Sequence, residues 1–231
     1  MIHASLRALG PIENRAEGLI KTLLSLLGEA GTILAYVDYE RTQERPYFDP
    51  GHSPACREYG VFAELLRTWP EAIRSLNPGA SIAAVGKHAA WLCKDHPLSY
   101  GYGKGSPYEK LLELEGKVLL LGSDPDQVTL LHYAEDRAQL PNKRIIHRNE
   151  VMRSENSLIE LQIEEFDTSR VVLDNMPEDY FAQITRDFIA QAFAQAGLIA
   201  EARSYLLPAQ KLIGFAIKKM EQEYTTLPPE D

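Results

Sequence analysis

Val118-Leu-Leu-Leu121 is an apolar run too short for a helix, and Gly122-Ser-Asp-Pro-Asp126 breaks the chain before a helical pattern begins. Such a run, bounded by turn residues, is a buried strand, so the stretch is a strand, a turn and a helix. At about 100° per residue, Leu130, Leu131, Ala134 and Ala138 share one arc of that helix and Thr129, His132, Glu135 and Asp136 the opposite one. His132 therefore points away from the apolar stripe, beyond the carboxyl end of a strand, where open α/β sheets form their ligand crevices. A carboxylate three or four residues further on can hold one imidazole nitrogen and leave the other free as a base. Glu135 is the preferred partner and Asp136 its rival. The same spacing also describes an ordinary ion pair on a solvated helix face.

A chain of 231 residues suffices for one α/β domain over 1–231 that buries its own core, with room for a small lobe. It has no apolar stretch of membrane-spanning length and no basic start followed by an apolar run, so a soluble, cytoplasmic protein with no membrane partner is expected. Cys56 and Cys93 match no redox or metal spacing and are expected to be reduced thiols. No second His or Cys lies at ligand spacing from His132, so no metal is expected. The formal charge of −9 argues against nucleic acid and favours a cationic small molecule as partner.

Met1 to Leu6 lean toward a strand, and Asn14 to Leu27 have helical periodicity closed by Gly28. Thr32 to Val37 form a second buried strand whose exit carries Asp38, Tyr39 and Glu40. Residues 41–59, with three prolines, make a long loop of the kind that serves as a lid or binding segment. Phe62 to Thr68 suit a helix, and a strand of small residues runs to Gly86. Lys87 to Cys93 suit another helix. Ser106 as N-cap, Pro107 at the first helical position and Glu109 form a capping box behind Gly101, Gly103 and Gly105, an approach that exposes backbone N–H groups to oxygen ligands. It is not a Walker loop, because His88 follows Gly86-Lys87. Lys143 to Arg153 and Leu158 to Phe166 alternate as a hairpin that ends among Glu164, Glu165 and Asp167. Pro177 to Ala196 are predicted as one helix ended by Gly197, Leu198 to Leu207 as a strand and Pro208 to Glu223 as a last helix. The expected fold is a layered α-β-α domain with a central mixed sheet, helices on both faces and a small antiparallel extension.

Several ordered motifs go beyond this local reading. They are His3-Ala-Ser-Leu-Arg-Ala-Leu-Gly10, Phe48-Asp-Pro50, Arg74-Ser75 with Asn77-Pro-Gly-Ala-Ser81, Asp95-His-Pro97, Gly105-Ser-Pro107, Gly116-Lys-Val-Leu-Leu-Leu-Gly122 and Thr129-Leu-Leu-His-Tyr-Ala-Glu135. Together they resemble the aminoglycoside 3-N-acetyltransferases, an antibiotic acetyltransferase family distinct from the GNAT folds, and the likeness looks closest to its apramycin-acetylating type IV branch. It covers nearly the whole chain, departing at the start, where the family has a leading helix and a fuller first strand, and at Asn77, where many members have His.

The resemblance implies acetyl transfer from acetyl-CoA to the 3-amino group of a 2-deoxystreptamine aminoglycoside such as apramycin or gentamicin. His132 would be the base, Glu135 would orient it and Thr129 would donate to the thioester carbonyl. Acetyl-CoA would lie along His3, Ala4, Ser5, Leu6 and Arg7, with Ser81, Ile82, Ala83, Ser106 and Pro107 adding contacts. Asp38, Tyr39, Glu40, Glu164, Glu165, Asp167 and Asp179 would meet the polycation, residues 143–180 forming an acceptor-binding subregion. A monomer or homodimer is expected. Two alternatives are a non-catalytic binder of polycationic antibiotics and a metal-dependent hydrolase built on His132 and Glu135.

Overall fold

Alternation along the strands sends neighbouring side chains into two separate cores, and helices cover both. The computed structural model describes residues 1–155, 157–166 and 170–225. In chain order these form β1 (Ile2–Ala4), α1 (Leu6–Leu9), α2 (Arg15–Leu27), β2 (Thr32–Tyr36), α3 (Gly60–Arg67), β3 (Ile73–Arg74), β4 (Ile82–Gly86), α4 (Ala89–Cys93) and α5 (Pro107–Glu113). There follow β5 (Lys117–Leu121), α6 (Leu131–Arg137), β6 (Ile145–Ser154), β7 (Ser157–Phe166), α7 (Tyr180–Ala190), β8 (Gln195–Ile199), β9 (Ala202–Pro208) and α8 (Ala209–Tyr224).

The strands form a mixed sheet ordered β1-β5-β9-β8, an antiparallel sheet β2-β4-β3 and the ribbon β6-β7. β1 and β5 run parallel, with His3 opposite Leu120, while β9 is antiparallel to β5. In β2, Leu34 and Tyr36 enter one core while Ile33 and Ala35 enter the other, and β4 splits Ile82 and Ala84 from Ala83 and Val85. Ile20 of α2 and Phe62 and Leu66 of α3 close the second core. Helices α4 to α8 supply the first, through residues such as Leu92, Tyr108, Leu131, Ile184 and Leu212. This is the layered α/β arrangement expected, with β6-β7 as its antiparallel extension.

Two expectations are corrected. The helix predicted from Pro177 to Ala196 covers only Tyr180–Ala190. Ala192 adopts a positive φ of 57°, and Phe193 turns back to pack its ring 5.4 Å from Phe188 and 6.2 Å from Phe215. Gln195–Ile199 then pairs antiparallel with β9, so Gly197, Leu198 and Ile199 lie in one strand and the following strand starts at Ala202. The alanine-rich composition favours a helix, but backbone pairing prevails here without burial, since every residue of β8 is exposed.

The loop 41–59 is no free lid. Phe48 is fully buried, its N–H donates to Val151 O at 2.8 Å, and Arg153 N–H donates to Phe48 O at 2.8 Å. An isolated bridge joins Tyr39 to Ala55.

Candidate active site

Several motif residues are mortar between loops. Arg74 donates to the carbonyl oxygens of Ser53 and Val37, each at 2.5 Å, and to Ser81 Oγ at 3.2 Å, with its guanidinium 4.6 Å above the Phe48 ring. Asn77, fully buried, donates to Pro97 O at 2.7 Å and accepts from Gly79 N–H at 2.8 Å. His96 Nε2 lies 2.7 Å from Gly101 O, so that nitrogen carries the proton, and Nδ1, 2.9 Å from Ser75 Oγ, accepts. These contacts set the path of residues 97–105 and bring the buried Tyr102 ring to 4.8 Å from that of His132.

Burial pushes the His96 imidazole down to about 4. The neutral ring is fully satisfied, so it stabilises the fold above the ordinary histidine range near 6.5, and that contribution shrinks as pH falls from there toward 4. Between pH 7.5 and pH 5 the native protein should lose about 2 kcal/mol more stability than His96→Gln, as measured by urea unfolding. Equal losses in the two proteins would remove His96 from the acid response.

His132 stands at the start of α6, its Nδ1 2.7 Å from Glu135 Oε2. Glu135 is the partner the helix spacing favours, and it is buried at 4 % exposure. Its rival Asp136 instead accepts from Tyr100 Oη at 2.9 Å. With Nδ1–H given to the carboxylate, Nε2 keeps its lone pair. Aromatic rings flank the imidazole, Tyr102 at 4.8 Å and 48° and Phe181 at 4.8 Å and 61°. Tyr102 Oη is fixed in turn by Tyr36 Oη at 3.0 Å and Gly79 O at 3.3 Å. A Cβ at Gly79 would sit 2.2 Å from an Arg148 guanidinium nitrogen, so any side chain there would push the Arg148–Glu165 pair aside.

Two cavities meet at this imidazole. The first, about 170 Å³, is bordered by Ile2, His3, Ala4, Tyr36, Tyr59 and Thr129 among others. It adjoins a groove of about 640 Å³ along Ala4, Ser5, Leu6 and Arg7, with Glu58 and Tyr59 common to both. Burial pushes His3 down to about 3, so its ring is neutral. The second cavity, about 420 Å³, has Asp126, Glu135 and Glu178 on its walls with Arg170. His132 and Thr129 therefore share one cavity, and His132 and Glu135 the other.

The remaining residues singled out in the sequence scatter. Ser81, Ile82, Ala83 and Ser106 have no exposed surface and Pro107 is buried. Neither cavity at His132 is lined by any of the five. Ser81 Oγ donates to Val37 O at 3.3 Å, and Ser106 Oγ accepts from Glu109 N–H at 3.3 Å. The returning half of the capping box is displaced by one residue, Glu109 taking Gly105 N–H at 2.7 Å. Glu40 is exposed beside a separate groove, while Glu164 pairs with His147 and Asp179 with Arg186 at the surface. Asp167 lies outside the described residues.

Asp38 and Glu165 do converge. Burial raises Asp38 to about 8 against the pull of Tyr39 N–H, Arg74 and Arg148. Burial likewise raises Glu165, opposed by Arg148, whose guanidinium is 2.5 Å away, and by His132. Asp38 Oδ1 and Glu165 Oε2 are shielded and have no hydrogen-bond partner among the described residues. Arg148 also approaches Glu150 Oε1 at 3.4 Å, and Tyr39 Oη donates to Glu150 Oε2 at 2.9 Å.

Sequence reasoning missed Asp126, Glu178, Tyr102, Arg148 and Phe181. Asp126 and Glu178 each look like a helix-start acid, and a lone aromatic in a glycine-rich loop carries no periodic signal. Among the described residues no three His, Cys, Asp or Glu side chains gather to hold a metal, and no helix is long and apolar enough to cross a membrane.

A family model described as aminoglycoside 3-N-acetyltransferase matches residues 1–221. The aminoglycoside N(3)-acetyltransferase III of Pseudomonas aeruginosa is 35 % identical over 97 % of this chain and 87 % of its own length. The structure of AAC-IIIb with CoASH superposes with a TM-score of 0.94 at 40 % identity, over 99 % of this chain and 91 % of that one. AAC-VIa bound to sisomicin follows at 0.91 and 33 %, over 98 % and 91 %. The type IV enzyme AAC(3)-IVa, in complex with gentamicin, is further off at 0.79 and 26 %, over 96 % and 81 %, so the likeness to type III exceeds that to the type IV branch. On the family match, the relatives and the fold alike, the chain belongs to the aminoglycoside 3-N-acetyltransferases, a family of acetyl-CoA-dependent acetyltransferases.

Proposed function

We propose that this chain acetylates the 3-amino group of 2-deoxystreptamine aminoglycosides of the gentamicin or apramycin type, with His132 as its base. The observation that carries the reading is the imidazole itself, held through Nδ1 by Glu135 at 2.7 Å while its ring borders two cavities of different character. A base shared by two spaces suits a reaction that joins two substrates.

The thioester end of acetyl-CoA is assigned to the first cavity, reached along His3, Ala4, Ser5, Leu6 and Arg7. Ser81, Ile82, Ala83, Ser106 and Pro107 then act from behind, by shaping the walls. The acceptor is assigned to the acidic side, where Asp126 and Glu178 border the second cavity and the shielded oxygens of Asp38 and Glu165 want donors. A polycation supplies such donors, and residues 143–180 carry much of this surface. Glu40, Glu164 and Asp179 are left as outlying charges.

In the transfer step His132 Nε2 removes the proton from the attacking nitrogen as the C–N bond forms. Glu135 stabilises the imidazolium, and Thr129 donates to the carbonyl oxygen as negative charge develops. The C–S bond breaks and the proton leaves with the thiol. Incubation with acetyl-CoA and gentamicin or apramycin should therefore release thiol stoichiometrically with a monoacetylated product, whose modified nitrogen NMR assigns. Antibiotic binding without thiol release would instead support a non-catalytic binder.

A further inference from the structure

Asp126, His132 and Phe181 line both cavities, so they form the wall between them. Of the three, Phe181 alone is apolar. Its ring meets the imidazole edge-on at 4.8 Å, and the residues on either side of it are tied down. On one side Tyr180 Oη donates to Glu223 Oε2 of α8 at 2.7 Å, and on the other Ala182 N–H donates to Asp126 Oδ1 at 3.1 Å. The half-buried ring packs against the first core and also limits what can reach the imidazole.

The chemistry makes this consequential. A base that deprotonates an amine also deprotonates water. Water attack on the thioester would form a C–O bond, break the C–S bond and pass the water proton through Nε2 to the departing thiol, yielding acetate and wasting the donor. Suppressing that side reaction requires keeping water from the line between Nε2 and the carbonyl carbon. The second cavity is polar, with Asp126, Glu135 and Glu178 on its walls, so its boundary with the first is where exclusion matters.

Building on the function proposed above, we propose that Phe181 partitions the two cavities, barring water from the thioester until an acceptor amine arrives, while Glu135 holds the imidazole. Removing the ring joins the cavities and leaves the base in place, so hydrolysis gains on transfer.

The test measures thiol release from acetyl-CoA without acceptor and with gentamicin, alongside product mass, for the native protein, Phe181→Ala and Phe181→Tyr. The native protein should release thiol almost only with acceptor, and Phe181→Ala should raise the ratio of hydrolysis to transfer at least about tenfold, the worth of one lost barrier increment. Phe181→Tyr, which restores the ring, should return the ratio to the native one. Should the alanine variant lose its fold by thermal melting, Phe181→Leu keeps the bulk without the aromatic edge and should leak to a lesser degree. An unchanged ratio in the folded variant, whatever its total rate, overturns the partition. Absence of acceptor-dependent release in the native protein overturns the function on which it rests.

Discussion

His132→Ala is expected to lower kcat for acetyl transfer by about three orders of magnitude, within the range that general-base removal costs, while changing KM for acetyl-CoA little. The side chain borders two cavities, so its loss enlarges existing space beside the buried Tyr102 ring and opens no new void. Its contacts are the Glu135 carboxylate and two aromatic rings. Circular dichroism and the melting temperature should therefore stay near native, and steady-state kinetics with gentamicin carry the measurement. Near-native turnover in a folded variant would place the base on another group.

The second large effect concerns stability. Arg148 is the cation between the buried carboxylates of Glu165 and Glu150, at 2.5 and 3.4 Å, and it also draws down Asp38. Arg148→Ala leaves Glu165 without its ion-pair partner, while Glu150 keeps Arg41 at 3.7 Å and Asp38 keeps the pull of Arg74, and should cost about 2 kcal/mol at pH 8, a figure reduced because the guanidinium is partly exposed. The sign of the pH dependence follows from the raised carboxyls. Asp38 and Glu165 already bind protons more readily than ordinary carboxylates, and without Arg148 they do so more readily still. As the pH falls both take up protons sooner than ordinary carboxylates and the missing cation matters less, so the loss should shrink on acidification. Urea midpoints at pH 8 and pH 5 give the comparison, and an equal loss at both would mean that packing, not charge, is what Arg148 supplies.

Much of the fold was legible because its signals are local. The apolar run at 118–121, the capping serine at 106 and the alternation of 145–154 with 157–166 each name an element without help from distant residues. The failure at Ala192 has the opposite cause. Alanine and glutamine favour a helix through residue 196, but Phe193 finds its partners in Phe188 and Phe215, and β9 offers an edge to pair with.

The site divides in the same way. His132 and Glu135 are one helical turn apart, so their pairing was written into the spacing. Asp38 and Glu165 are drawn to one cluster through Arg148, three positions on three separate segments, and no local pattern distinguishes them from Glu40 and Glu164 beside them. Alternation in a strand explains the outcome after the fact: Glu165 faces inward and Glu164 outward.

By itself, then, the sequence determined most of the elements, the family motifs and the pairing of His132 with Glu135, since each depends on residues close together in the chain and on the fixed geometry of helix and strand. Only the tertiary structure decided that Asp126 and Glu178 border a cavity at His132, that Ser81 and Ser106 are buried away from it, and that Phe181 meets His132 from α7. Those facts depend on where elements distant in sequence pack, and packing is governed by buried surface and shape summed over the whole chain, which no short pattern records.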